Sequence, residues 1–201
     1  LWDDRLDNLN IDVSVSDDVA ILEGIVHTYT EKLIAESDVK NLGGINSVIN
    51  NLKVELPSHQ EIPSEIKIKH NIKAILDANI KIESSKIDID VHEGEVTLMG
   101  SVDAYWKKEK VGDLVSEVGG VLEIHNRISI VPTEKISDES IADDIISSMS
   151  RSPRVDPDKI DLQVEDGVVS LSGTVSSYSA YKAALNAVKF TKGVKDVKNL
   201  L

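Results

Sequence analysis

The side chains best suited to chemistry in this chain are aspartates, histidines and serines, but their spacing does not predict a reactive site. Asp88, Asp90 and Gly94 resemble the start of a calcium-binding loop. Such a loop also needs oxygen ligands further along the chain and a terminal bidentate glutamate. The alternation of the two aspartates with aliphatic residues explains them as the solvent face of a β-strand. We therefore predict that the chain has no metal site.

The remaining candidates for catalysis are equally isolated. Ser170 and Ser172 lie in a predicted strand with no partnered base. The chain has no cysteine, which excludes disulfide and thiolate chemistry and fits the cytosol and the periplasm alike. The histidines share no spacing typical of metal ligands; they are His27, His59, His70, His92 and His125. We predict a protein that is not an enzyme and needs no cofactor.

One segment has the composition of a binding surface, and we call it the basic-aromatic patch. It consists of Tyr105, Trp106, Lys107, Lys108 and Lys110. Aromatic side chains beside lysines suit a membrane interface or an anionic partner surface. Tyr105 also has a structural explanation, because Tyr29 and Tyr178 occupy the same position in a repeat described below. Trp106 has no aromatic counterpart there and is the better binding candidate.

The distribution of charge limits the partners. The net charge of −13 argues against nucleic acid, which needs clustered cations. Residues 1–62 hold 12 acids and 4 bases, whereas residues 63–135 hold 13 acids and 10 bases. A second group of cations, Lys67, Lys69, His70 and Lys73, is interpreted as the solvated face of a helix. No run of 18 apolar residues predicts a transmembrane segment.

These residues belong to a sequence that is repeated three times. IDVSVSDDVAILEG begins at Ile11, IDIDVHEGEVTLMG at Ile87 and IDLQVEDGVVSLSG at Ile160. Each stretch ends in a glycine, and a second glycine and an asparagine follow at constant spacing. In order along the three repeats these landmarks are Gly24, Gly44 and Asn50; Gly100, Gly120 and Asn126; and Gly173, Gly193 and Asn199. Such periodicity predicts three small domains.

Each repeat has the same predicted elements. Strict alternation predicts a strand with one buried face, and a two-residue turn such as Glu93-Gly94 predicts an antiparallel hairpin. We expect a helix backbone to approach the glycine of the returning strand, where a side chain would collide. A second helix follows, which we expect the later glycine to stop. A last strand, joined through that helix, should run parallel to the strand before it.

A further helix precedes the hairpin in the second and third repeats. Ser64 and Ser137 are its predicted N-caps. The first repeat lacks this helix, since only LWDDRLDNLN precedes Ile11, and the chain reads as a fragment or processed form. The predicted fold class is α+β: three tandem αββαβ domains, each a three-stranded mixed sheet with two helices on one face. Their predicted boundaries are 1–57, 63–132 and 137–201.

This pattern resembles the BON domain family (bacterial OsmY and nodulation domain). The third repeat carries the closest match, in VEDGVVSLSGTV and GVKDVKN. The second gives VHEGEVTLMGSV and GVLEIHN, and the first gives VSDDVAILEGIV and GINSVIN.

The resemblance implies a non-catalytic module of the bacterial periplasm or envelope. It implies links to osmotic or envelope stress and contacts with anionic phospholipid or envelope proteins in a binding or scaffolding role. A chaperone-like protein that binds unfolded clients without lipid is the alternative. The recurrent residues of the family are glycines and aliphatics, which specify a fold and not a reaction.

Overall fold

The computed structural model describes residues 4–6, 9–42, 44–45, 47–57 and 63–201. Within them the chain forms three repeats of mixed α and β structure, each with its own β-sheet, which confirms the predicted fold class. The chain divides into two compact units. One is Leu1–Met99 with Val111–Arg127, and the other is Gly100–Lys110 with Ile128–Leu201.

In the first repeat, described residues 4–6 and 9–10 form only a short 3₁₀ helix before the first strand, in line with the predicted lack of a first helix. The regular elements that follow are β1 (Ile11–Ser16), β2 (Val19–Val26), α1 (Tyr29–Lys40), β3 (Ser47–Asn50) and β4 (Lys53–Val54).

The second and third repeats each begin with a helix. The second consists of α2 (Glu65–Asp77), β5 (Ile87–His92), β6 (Glu95–Val102), α3 (Tyr105–Ser116), β7 (Glu123–Asn126) and β8 (Ser129–Ile130). The third consists of α4 (Asp138–Ser150), β9 (Ile160–Glu165), β10 (Val168–Gly173), α5 (Tyr178–Lys189) and β11 (Asp196–Leu200).

The second strand of each hairpin lies in the middle of its sheet. It pairs antiparallel with the strand before it and parallel with the last strand, as predicted. The last strand is interrupted in the first and second repeats. In the first it breaks into β3 and β4, and at the break the Leu52 N–H donates to Asn50 Oδ1 (3.2 Å). In the third repeat the Leu201 N–H makes the same bond to Asn199 Oδ1 (3.3 Å). The single last strand predicted for the first two repeats is therefore wrong in this detail.

The hairpins turn through two residues with positive φ, as the sequence predicts. The angles are 49° and 84° at Glu93 and Gly94, and 51° and 79° at Asp166 and Gly167. This combination matches the right-handed twist of the paired strands. In the first repeat Asp18 takes φ +64° in place of a glycine, which makes that turn the most strained of the three.

In the first and third repeats, the landmark glycine of the returning strand meets a backbone, but not that of a helix. A Cβ on Gly173 would lie 2.2 Å from the Lys159 carbonyl oxygen, and a Cβ on Gly24 would lie 2.2 Å from that of Asn10. Both carbonyls belong to the residue just before the neighbouring strand. The predicted close approach is present, and its predicted origin in a helix is wrong because the antiparallel neighbour begins at this point.

The later glycines also differ in role from the prediction. Gly44, Gly120 and Gly193 lie four residues beyond the ends of α1, α3 and α5. They form the turn into the last strand and do not end the helices. Asn41, for example, is the C-cap of α1 and has a right-handed helical conformation.

The helices cover one face of each sheet and create the cores. Ser64 and Ser137 cap α2 and α4 by accepting hydrogen bonds from Lys67 N (3.4 Å) and Ser140 N (3.2 Å), as predicted. The aliphatic stripes of both helices are buried; they are Ile68, Ile72 and Leu76 in α2, and Ile141, Ile145 and Met149 in α4. In the third repeat these side chains join Val169, Leu171, Ala184 and Val188 in one core.

An acidic residue ties the start of each first helix to the hairpin turn. The Asp138 carboxylate accepts from Asp166 N (2.8 Å) and Gly167 N (2.9 Å). Glu65 accepts from Glu93 N (2.9 Å) in the second repeat. These bonds satisfy turn amides while the carboxylate lies at the positive end of the helix dipole. The helix is thereby fixed across the sheet.

In the first and third repeats, the landmark asparagine links the last strand to the second helix. Asn50 Nδ2 donates to the Lys32 carbonyl oxygen of α1 (3.0 Å). Asn199 Nδ2 donates to the Tyr181 hydroxyl of α5 (2.6 Å). The constant spacing of this residue in the sequence follows from this contact.

Gly173→Ala is expected to destabilise the third repeat. The added Cβ would collide with the Lys159 carbonyl and occupy φ +122°. We expect a loss of about 2 kcal/mol or more in the free energy of unfolding. Urea unfolding followed by circular dichroism measures it. Gly119→Ala is the control, because its Cβ meets nothing within 4 Å. Equal losses in the two variants would contradict this packing.

Asp138→Ala should weaken the third repeat by about 1–3 kcal/mol, because two turn amides lose a charged acceptor. Glu139→Ala removes the same charge one residue later and leaves those amides paired, so it should cost much less. Unfolding free energies of the two variants make the comparison. Indistinguishable values would mean that only the helix dipole matters at this position.

Candidate binding site

The basic-aromatic patch lies at the start of α3, and each of its residues is half-buried. The Tyr105 ring packs against the hydrophobic core of the third repeat. Burial, together with the carboxylates of Glu109 and Asp196, raises the pKa of Tyr105 to about 12. The phenol therefore stays protonated and neutral throughout the physiological range.

The neighbours of Tyr105 are also engaged within the same compact unit. The Trp106 ring lies 6.4 Å from that of Phe190, centroid to centroid, at an interplanar angle of 30°. Lys107 Nζ donates to Asp103 Oδ2 (2.9 Å) and lies 5.7 Å from the centroid of the Trp106 ring. The aromatic part of the patch contacts the third repeat. Binding of a partner by the patch stays a prediction.

A second surface, which we call the α2 outer face, is more open. It consists of Ile66, Lys67, Lys69 and Lys73 on α2, with Ile80 just beyond the end of the helix. Ile66 is 82% exposed and Ile80 is 96% exposed, and all three lysines are exposed. None of these lysines forms an ion pair with any residue that the structure describes. The sequence analysis named these lysines but interpreted them as the solvated face of a helix. Ile66 lies outside the buried stripe of α2, and its position could have indicated that this face is not only solvated.

A cavity of about 340 Å³ adjoins this face. Lys69 and Lys73 line one side of it, and the hydroxyls of Ser84 and Ser85 line another. Ser84 donates a hydrogen bond to the Asp77 carboxylate at the end of α2. Lys69 and Lys73 are cationic donors that can bind a phosphate oxygen, whereas the Ser84 proton is already used by Asp77 and the Asp88 carboxylate also lines the cavity.

The residues considered for chemistry do not converge. Asp88 and Asp90 are exposed on β5, and Gly94 forms the hairpin turn. No three potential metal ligands come together among the described residues, and His59 lies outside them.

A second cavity, of about 360 Å³, lies at the start of α4. Its Asp138 is held by turn amides, and Lys195 Nζ donates to the Asp166 carbonyl oxygen (2.9 Å). Both charged groups serve the fold there. In the part of the chain that the structure describes, no helix is long and apolar enough to cross a membrane.

Comparison with known proteins agrees with the repeat architecture. The BON domain model matches the chain three times, at residues 1–55, 65–132 and 137–201. Osmotically-inducible protein Y of Escherichia coli (strain K12) is 28% identical over 147 residues, which cover 66% of this chain and 69% of that protein.

Solved structures were also compared. The C-terminal domain of CdsD, the structural protein of the Type III secretion system of Chlamydia trachomatis, aligns at 13% identity with a TM-score of 0.26. That alignment covers 98% of this chain and 93% of the solved chain of that domain. Three matches that span nearly the whole sequence, each with the hairpin, glycines and helices described above, mean that the chain belongs to the BON domain family.

Proposed function

We propose that this chain is a non-catalytic, tandem binding module of the bacterial cell envelope, and that it contacts anionic phospholipid surfaces through the α2 outer face. Similarity to a protein named as osmotically inducible supports a role in osmotic or envelope stress. It also supports a periplasmic or envelope-associated location. The family's recurrent glycines and aliphatics, which build the fold, support a binding role over catalysis.

The observation that carries this proposal is the exposure of Ile66 and Ile80 beside three lysines. A lysine near an anionic bilayer contributes about 1 kcal/mol of binding free energy. An isoleucine side chain that leaves water adds about 1.5–3 kcal/mol. Isoleucines that enter the acyl boundary while lysines remain at the headgroups match the general design of interfacial helices.

The equivalent helix of the third repeat, α4, is acidic. The basic and aliphatic outer face is therefore a feature of α2 in the second repeat and not of α4. α4 carries Asp138, Glu139, Asp143 and Asp144 and no base. Glu139 stands at the position of Ile66, and Ala142 at that of Lys69. Because the whole chain is acidic, only a locally basic face such as that of α2 can be drawn to an anionic bilayer.

The basic-aromatic patch is the second candidate for the same contact. Its Lys108 and Lys110 remain partly exposed. The assay below treats the two surfaces separately.

We also propose that the repeats act as domains bounded at 1–57, 63–132 and 137–201.

A chaperone-like function has one observation in its favour, in the first repeat. Val13 and Val15 on β1 are 39% and 58% exposed. Their counterparts Ile89 and Val91, which lie under α2, are 9% and 8% exposed. An open aliphatic sheet face can bind the apolar segments of an unfolded client.

Replacing Lys67, Lys69 and Lys73 together by glutamate should abolish binding to vesicles that contain phosphatidylglycerol. Loss of three attractions of about 1 kcal/mol each predicts a drop of roughly 100-fold or more in the partition coefficient. Co-sedimentation with vesicles measures it. Wild-type binding should weaken as salt rises, because screening shortens the range of the attraction.

Two matched variants serve as controls. Lys182, Lys192 and Lys198, all exposed lysines of the third repeat, make the same charge change when replaced together by glutamate and should leave binding intact. Trp106→Ala with Lys107→Glu tests the basic-aromatic patch. Wild-type protein that does not bind at low salt would contradict the proposal, and loss only in the patch variant would move the site to α3.

Val15→Lys tests the chaperone-like candidate. A charge on the open face should reduce the protection of a model client from thermal aggregation, as followed by light scattering. Ser14→Lys places the same charge on the neighbouring residue, which points to the opposite face of β1, and should retain protection. If neither wild-type nor variant protein protects the client, this second function is excluded.

A further inference from the structure

The sheet of the first repeat is aliphatic on the face that points away from its helix. Ala20 and Leu22 of β2 are buried in the core together with residues of α1. Residues that alternate with them point to the opposite side of the sheet. On that side Ile21 pairs in register with Ile49 of β3. Ile49 is 47% exposed, and Ile25, further along β2, is 43% exposed. We call these three isoleucines the sheet outer face.

This face is open because of its place in the fold. In the second repeat, α2 covers the other side of the sheet, where Ile89 and Val91 are buried. A helix at the equivalent place in the first repeat would therefore leave the sheet outer face open.

The equivalent positions of the other two repeats are polar. Thr97 pairs with His125 in the same register in the second repeat, and Ser170 pairs with Lys198 in the third. Ile25 corresponds by the repeat spacing to Ser101 and Thr174. Three aliphatic side chains on a solvent face are thus particular to the first repeat, and such a group typically marks an interaction surface.

Acidic residues border this face. Asp12 of β1 and Glu23 of β2 lie directly opposite each other, and both are exposed. Neither forms an ion pair with another residue in the described part of the chain. Like charges at directly opposed positions repel and destabilise the pair. A cation that docks beside them relieves that repulsion, so the complementary partner is both aliphatic and basic.

The chain itself carries a surface of that chemistry. The α2 outer face combines the exposed Ile66 and Ile80 with three lysines that form no ion pair among the described residues. We propose that the sheet outer face of one copy binds the α2 outer face of a second copy of this chain. Because the two surfaces differ, the contact is head-to-tail, and successive copies can add to it without closing.

This self-association goes beyond the proposed function and shares one surface with it. The α2 outer face cannot meet a bilayer and a second copy at the same time, so the two contacts exclude each other. The sheet outer face takes no part in the proposed contact with phospholipid. Variants of that face therefore separate the two proposals.

Replacing the three isoleucines by the residues of the second repeat tests the apolar part of the contact. The full chain with Ile21→Thr, Ile25→Ser and Ile49→His should self-associate roughly 100-fold more weakly than wild type. Sedimentation velocity over a range of concentrations measures the masses, and circular dichroism verifies the fold. Val131→Thr with Ile146→Ser removes aliphatic side chains that are 60% and 45% exposed elsewhere and should leave association unchanged.

A charge-reversal series tests the orientation of the contact. Asp12→Lys with Glu23→Lys sets lysines against lysines, and Lys69→Glu with Lys73→Glu sets acids against acids. Each pair of changes should weaken association about tenfold or more. All four changes together restore opposite charges between copies and should recover it. Wild-type association should also decrease as salt rises.

Vesicle binding keeps this result apart from the proposed function. The isoleucine variant should bind phosphatidylglycerol vesicles as wild type does, whereas the chain with all four charge changes should associate without binding them. Wild-type protein that remains a monomer at low salt would overturn the self-association alone. An isoleucine variant that associates like wild type, or four charge changes that fail to recover association, would also overturn it.

Discussion

Each repeat depends on the burial of one aliphatic sheet face beneath helices. With one Phe, two Trp and four Tyr in 201 residues, this burial falls to Ile, Val, Leu and Ala. Small aliphatic side chains fill a core well only when the layers lie close together. The carboxylates of Glu65 and Asp138 help to hold the layers together, because they tie α2 and α4 to their hairpin turns. The first repeat, which has no such helix among its described residues, leaves Val13 and Val15 exposed.

Local rules made most of this fold predictable. Alternating aliphatic residues predicted the strands, and the two-residue turns predicted the hairpins. Ser64 and Ser137, as N-caps, predicted where α2 and α4 begin. The wrong predictions concern where the last strand breaks and which backbone approaches Gly24 and Gly173. The glycine and the asparagine recur at constant spacing in the sequence, but that spacing does not say which backbone group each residue meets.

The candidate surfaces were harder to predict than the fold. Tyr105 and Trp106 had the composition of a binding site, yet their rings meet the third repeat. The tyrosine at the same position in all three repeats was the available signal of this structural role. Ile66 falls outside the stripe of Ile68, Ile72 and Leu76, and this position in the helical period was the available signal for the α2 outer face. Ile80 lies beyond the end of the helix, where no periodicity predicts its exposure. A repeated framework thus presents different chemistry on equivalent helices: basic and aliphatic on α2, acidic on α4.

Hydrogen exchange of the equivalent strands β1, β5 and β9 tests the central claim, that a covering helix decides which sheet faces are closed and which remain open for binding. All three strands lie at the edge of their sheets and pair with the middle strand in the same way, so only the cover differs. The account predicts strong amide protection in β5 and β9 and markedly faster exchange in β1. Equal protection in all three strands would contradict it.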